Sequence, residues 1–158
     1  MKKKVIIVIA LAAILATGTA FADHPGGFGI GVQGGYGGGV GGALTLKLPS
    51  LPIFWAIDFT PWDGYTWLGL AGDFYFIDSQ LVSTLHWYFG LGGYVNLGLG
   101  DPLGLAIGAR LPIGLSWQPI PLLEIYLQVV PSIGLSILPK IDLYPNFWGA
   151  NLGIRIWL

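Results

Sequence analysis

The residues with chemical potential are few. Lys47, Asp58, Asp73, Arg110, Glu124 and Arg155 are the charged side chains that fall inside regular segments rather than turns. His86 stands among tyrosines, and with Tyr88 and Glu124 it could form an acid–base group. The six charges balance, three of each sign, and a buried charge is tolerable only when paired and hydrogen-bonded. The expected arrangement is therefore an interior network of salt bridges with His86 as a satisfied core histidine; a charged pore and a catalytic constellation are the sharper alternatives. No residue is assigned a catalytic role. Asp63, Asp78, Asp101 and Asp142 are expected one per turn, which does not make a metal cluster. There is no cysteine, hence no disulfide framework and no thiolate site. Pairs such as Gly90-Leu91-Gly92 lack the strand–turn–helix context of a nucleotide loop. No cofactor is expected.

The elements that must carry these residues are strands. The clearest signal is the hairpin Leu103 to Pro131. Leu103, Leu105, Ile107, Ala109, Leu111, Ile113, Leu115 and Trp117 share one parity, and Gly104, Ala106, Gly108, Arg110, Pro112, Gly114 and Ser116 share the other. A two-residue period of this length is a long strand with one greasy face. Gln118-Pro119-Ile120-Pro121 is the expected turn, and the return strand continues the greasy face with Leu123, Ile125, Leu127 and Val129. The second face holds glycines and one charge of each sign, Arg110 and Glu124. That suits a narrow barrel interior with the aliphatic face turned to lipid.

Eight such segments are expected: 28–36, 40–48, 53–60, 66–76, 85–96, 103–117, 123–131 and 147–158. Asp78-Ser79-Gln80 reads as a turn, and Ser132 to Asn146 as the longest connection. Mean hydropathy is +0.70, with only 9% charged residues. Glycine, proline or a polar residue interrupts every apolar stretch beyond the first, and 26 glycines make poor helix material. Only helices and closed barrels satisfy their backbone inside lipid, which leaves the barrel. Outward aromatics are expected as two girdles, Phe28, Trp55, Phe76, Trp87 and Trp117 toward one rim, with Tyr36, Phe59 and Trp148 toward the other.

The start of the chain carries an export signal. Lys2, Lys3 and Lys4 precede an apolar run from Val5 to Leu15, and Ala20-Phe21-Ala22 is an A-x-A cleavage pattern before Asp23. Residues 1–22 are expected to be a cleaved signal peptide and 23–158 a single barrel domain. Past Ala22 only Lys47, Arg110, Lys140 and Arg155 oppose all eight acidic residues, so a basic nucleic-acid footprint is absent.

The runs GARLPIGL (108–115), LEIYLQVVP (123–131) and GIRIWL (153–158) resemble the last three strands of a family of small bacterial outer-membrane barrel proteins, similar to the OmpA/OmpX type. The resemblance implies an all-β, eight-stranded antiparallel up-and-down transmembrane barrel. It further implies residence in the outer membrane of a Gram-negative-type envelope, and insertion by the barrel-assembly machinery, which reads the C-terminal strand. Such strands usually end on an aromatic residue, whereas this one ends Trp157-Leu158.

The expected function is a monomeric, lipid-embedded barrel with a plugged interior and a structural or surface-interaction role. The alternatives are a lipid A hydrolase or acyltransferase and a narrow, porin-like channel. Inside the barrel, register counting places Glu124 near Ser116 and Arg155 at one level. It places Arg110 with Asp58 or Asp73 at mid-height.

Overall fold

The computed structural model describes residues 27–37, 39–62 and 65–158, with the side chains of 62 and 144–148 outside the description; the signal peptide expected at 1–22, Asp63 and the side chain of Trp148 therefore lie outside it. The described chain is strand connected by short turns. The strands are β1 (Gly29–Tyr36), β2 (Val40–Lys47), β3 (Phe54–Trp62), β4 (Tyr65–Val82), β5 (Leu85–Leu99), β6 (Gly104–Arg110), β7 (Ile113–Ile120), β8 (Leu123–Leu138) and β9 (Asp142–Trp157). Each pairs antiparallel with its neighbour, and β1 pairs with β2 on one side and β9 on the other, which closes the ring. Closure removes free sheet edges. The last described residues complete the seam: Phe28 N donates to Leu158 O at 3.1 Å and Leu158 N donates to Phe28 O at 2.8 Å.

The expected sixth strand, 103–117, is two strands laid end to end. β6 and β7 both pair with β5 and both pair with β8, so they form one stave of the barrel. The interruption is Leu111-Pro112, because proline has no N–H to give the ladder. Bonding bridges the gap: Gly90 N donates to Pro112 O at 2.8 Å and Leu111 N donates to Pro131 O at 2.9 Å. Counting β6 and β7 as one stave, the barrel has eight.

Three further expectations are corrected. Ser132 to Asn146 is not a long connection: β8 runs on to Leu138 and β9 begins at Asp142. Ile133, Leu135 and Ile137 keep the outward alternation, and Pro131 sits at a register shift between Val130 and Ser132, where a missing donor costs least. Asp78-Ser79-Gln80 is not a turn but part of β4; the turn is at Ser83-Thr84, where Ser83 has a φ of 40°. The chain leaves β7 at Ile120, so Pro121-Leu122 is the turn and Ser116 pairs with Tyr126 rather than Glu124.

Faces follow parity. Val32, Leu44, Ile57, Leu70, Ile113 and Leu127 are exposed on the outside, while Ala43, Thr45, Lys47, Ala56, Asp73 and Arg110 are buried within. Strand β4 has two register shifts against β5, the first of which redirects a charged side chain. A bulge between Tyr75 and Ile77 resets the phase, and Asp78 then points inward and is buried.

Candidate functional site: the barrel interior

The lumen has two halves. The half near the chain termini is filled. Tyr88 lies over Gly114 and Tyr126 over Gly153, and a side chain at either glycine would meet the ring. The rings of Phe54 and Tyr75 stack at 4.2 Å, and those of Tyr75 and Tyr88 at 4.5 Å. Trp157 meets Phe54 edge-on at 6.3 Å. These five side chains, Tyr126 among them, form one buried aromatic cluster across the barrel. Aromatic rings are well suited to this, since each covers a large area with few rotatable bonds.

Glu124 is the polar centre of that cluster and is 0% exposed. It accepts hydrogen bonds from Arg155 Nη1 at 2.7 Å, Trp157 Nε1 at 2.9 Å and Ser116 Oγ at 2.9 Å. The Arg155 guanidinium lies 4.8 Å from the Phe54 ring and 4.7 Å from the Tyr126 ring. A planar cation sandwiched by aromatics and bonded to a carboxylate is the arrangement in which an arginine can be fully desolvated. Two further bonds tie staves together, Tyr88 Oη to Gln128 Oε1 at 3.0 Å and Tyr126 Oη to Gln33 Oε1 at 2.9 Å.

The remaining charges lie around this centre. Lys47 is buried at the end of β2, donates to Leu48 O at 2.8 Å and has its Nζ 5.8 Å from the Phe54 ring. Arg110 Nε approaches Asp73 Oδ1 at 3.1 Å, an ion pair by distance although the N–H is not aimed at the oxygen. Asp58, the sixth of the set, makes no ion pair with a described residue and faces the open half of the lumen. His86 does not join Tyr88 and Glu124. Its Nδ1 lies 3.3 Å from Asp78 Oδ1 instead, because the bulge in β4 brings that carboxylate inside. Sequence reasoning missed Asp78 and Trp157 as interior groups. Trp157 was readable, since it shares parity with Gly153 and Arg155; Asp78 was not, since a bulge leaves no mark on the pattern.

The other half is a vestibule of about 140 Å³ that opens between the turns at the end away from the termini. Among the described residues no three His, Asp or Glu side chains converge as a metal group. Of the girdle residues, Tyr36, Phe59 and Trp117 are exposed, while Phe28, Trp55, Phe76 and Trp87 are half-buried.

An eight-stave, up-and-down antiparallel barrel with aliphatics outside and charges inside is the fold class of the small OmpA/OmpX-type barrels. Among solved structures the chain is similar to the crystal structure of Neisserial surface protein A (NspA), with a TM-score of 0.47 and 14% identity over 85% of this chain and 98% of that one. No protein-family model matches the chain. No curated protein matches it either.

Proposed function

We propose that the chain is an integral outer-membrane barrel whose lumen is sealed, with a structural or surface-interaction role and neither transport nor catalysis. The observation that carries this is the inversion of polarity: aliphatic side chains cover the outside of a closed barrel, and charges that include the pairs Arg110–Asp73 and Arg155–Glu124 lie inside it. Water would penalise that outer face, and lipid would not. The aromatic cluster around Glu124 and Arg155 supports the seal, because its rings pack against one another across the lumen around a paired carboxylate. The signal-like start at 1–22 agrees with export, the aromatics with interfacial girdles, and β9 with the strand that the assembly machinery reads. The turns at the far end are short, so a surface partner would meet the rim rather than long loops. A lipid-modifying reading places His at the lipid face, and His86 faces the lumen.

Membrane fractionation with planar-bilayer recording tests the proposal. The expected result is recovery in the detergent-extracted outer membrane, heat-modifiable gel mobility and no stepwise conductance. Recovery in the soluble periplasm would refute the location, and discrete channels in the wild-type protein would refute the seal.

A further inference from the structure

The ladders of this ring are of two kinds. Most join strands that are consecutive in the chain and linked by a turn. A turn keeps its two strands close, so a ladder that parts beside it closes again readily. Among the described residues three ladders join strands that no turn links. One is β1–β9, where the ring closes; the others are β5–β7 and β6–β8, on either side of the interrupted stave.

Each of these three is crossed on its inner side by one tyrosine. Tyr126 of β8 pairs with Gly153 of β9, and Gly153 pairs with Gln33 of β1. The Tyr126 ring lies over Gly153 and its Oη donates to Gln33 Oε1 at 2.9 Å, so one side chain spans three staves and the closing seam. Tyr88 of β5 repeats the arrangement. It lies over Gly114 of β7, and its Oη donates to Gln128 Oε1 of β8 at 3.0 Å, again along one row of paired residues. Tyr94 of β5 follows the row through Gly108 of β6 to Gly134 of β8. A Cβ at Gly108 would stand 2.7 Å from its Cε1, and one at Gly134 would stand 3.1 Å from its Cζ. Only a residue without a side chain lets a ring lie down on the strand it crosses. Tyr88, Tyr126, Gln33 and Gln128 are all buried, where water competes little for these bonds. The Arg155 guanidinium, 4.7 Å from the Tyr126 ring, helps to hold that ring in place.

We propose that these tyrosines are straps, each reaching across one stave to hold a ladder that no turn secures, and that Tyr126 in this way keeps the barrel from opening sideways between its first and last strands. The ladder stays formed without its strap; the strap governs how often it parts. This goes beyond the sealed reading and does not rest on it, since a conducting barrel would need its seam held as much as a sealed one.

The test is amide hydrogen exchange, followed residue by residue by NMR on the full barrel folded in detergent. Tyr126→Phe keeps the ring over Gly153 and removes only the hydroxyl, which leaves the Gln33 amide oxygen without its donor. It should speed exchange along the β1–β9 ladder by about tenfold or more and leave the β5–β7 ladder unchanged. Tyr88→Phe should do the reverse. Gln33→Met breaks the first bond from its other end, should reproduce the Tyr126→Phe pattern, and carries the test if that variant does not fold. The chain has no cysteine, so Val32→Cys with Ile154→Cys, register partners across the seam, can close it covalently. In that background Tyr126→Phe should no longer speed exchange at the seam. Unchanged exchange in the single variants, or the same change at both ladders in each, would overturn the proposal. So would an effect of Tyr126→Phe that persists once the seam is cross-linked, because the side chain would then act through packing rather than across the join.

Discussion

Glu124 is buried and takes three donors among the described residues, and this decides what its removal does. Glu124→Ala leaves the Arg155 guanidinium buried without its carboxylate, and breaking a buried pair in this way costs about 3–5 kcal/mol. Replacing both partners together, Glu124→Leu with Arg155→Met, removes the stranded charge, and the double variant should lose less than the single one. Urea unfolding in lipid vesicles measures both, and a double variant less stable than Glu124→Ala would contradict the pairing argument. Arg110→Ala should cost less, since Arg110 itself lines the vestibule and its N–H is not aimed at Asp73. At this scale much was legible. The inward parity of Arg110, Glu124 and Arg155 follows from counting in twos, and Glu124 meets Ser116 even though the turn lies later than expected. What could not be read was the partner of His86, because no residue type announces the bulge that brings Asp78 inside.

The strands make their own demands on sequence. A small residue on the inner face is a cavity reserved for a neighbour's ring, and Tyr126 over Gly153 joins β8 to β9 in this way. Gly153→Val would force that ring out of place, an overpacking cost of about 1–3 kcal/mol or more. Tyr126→Ala in the same chain should recover part of the loss; a double variant no better than Gly153→Val would show that the valine acts through the backbone instead. The outer face obeys the opposite rule. Ile113 and Leu127 are exposed on adjacent strands, and arginine at either position should cost roughly 2–4 kcal/mol if it reaches the bilayer midplane. Folding yields into vesicles test this, and wild-type yields for both would invert the assignment of faces. The sequence pattern predicted those faces correctly but shortened the strands. Residues 132 to 146 read as a connection, yet a barrel tolerates Pro131 where the register slips and Pro139 where the ladder ends, and only the neighbouring strand can say which.

For the molecule as a whole, stability and permeability should come apart. The ring is closed by its ladders, from β1 against β9 round to β4 against β5, and these do not depend on what fills the lumen. The proposed seal rests on a few rings: Phe54, Tyr75, Tyr88, Tyr126 and Trp157. Truncating Tyr75 and Tyr88 together to alanine removes two adjacent members of one stack and opens a path past Glu124. That variant should still show heat-modifiable mobility, because lipid continues to favour a closed ladder over exposed strand edges. It should also pass current where the wild type passes none. Arg110→Ala supplies the contrast, since Arg110 lines the vestibule and the aromatic cluster beyond it remains intact. Its expected result is a modest loss in urea midpoint with no conductance. A selective pore gives the reverse pattern, in which Arg110→Ala changes an existing current and leaves stability alone. Recording both variants in the same bilayer, with unfolding measured on the same preparations, separates a sealed barrel from a gated one, and a silent double tyrosine variant that is fully folded would place the seal elsewhere in the lumen.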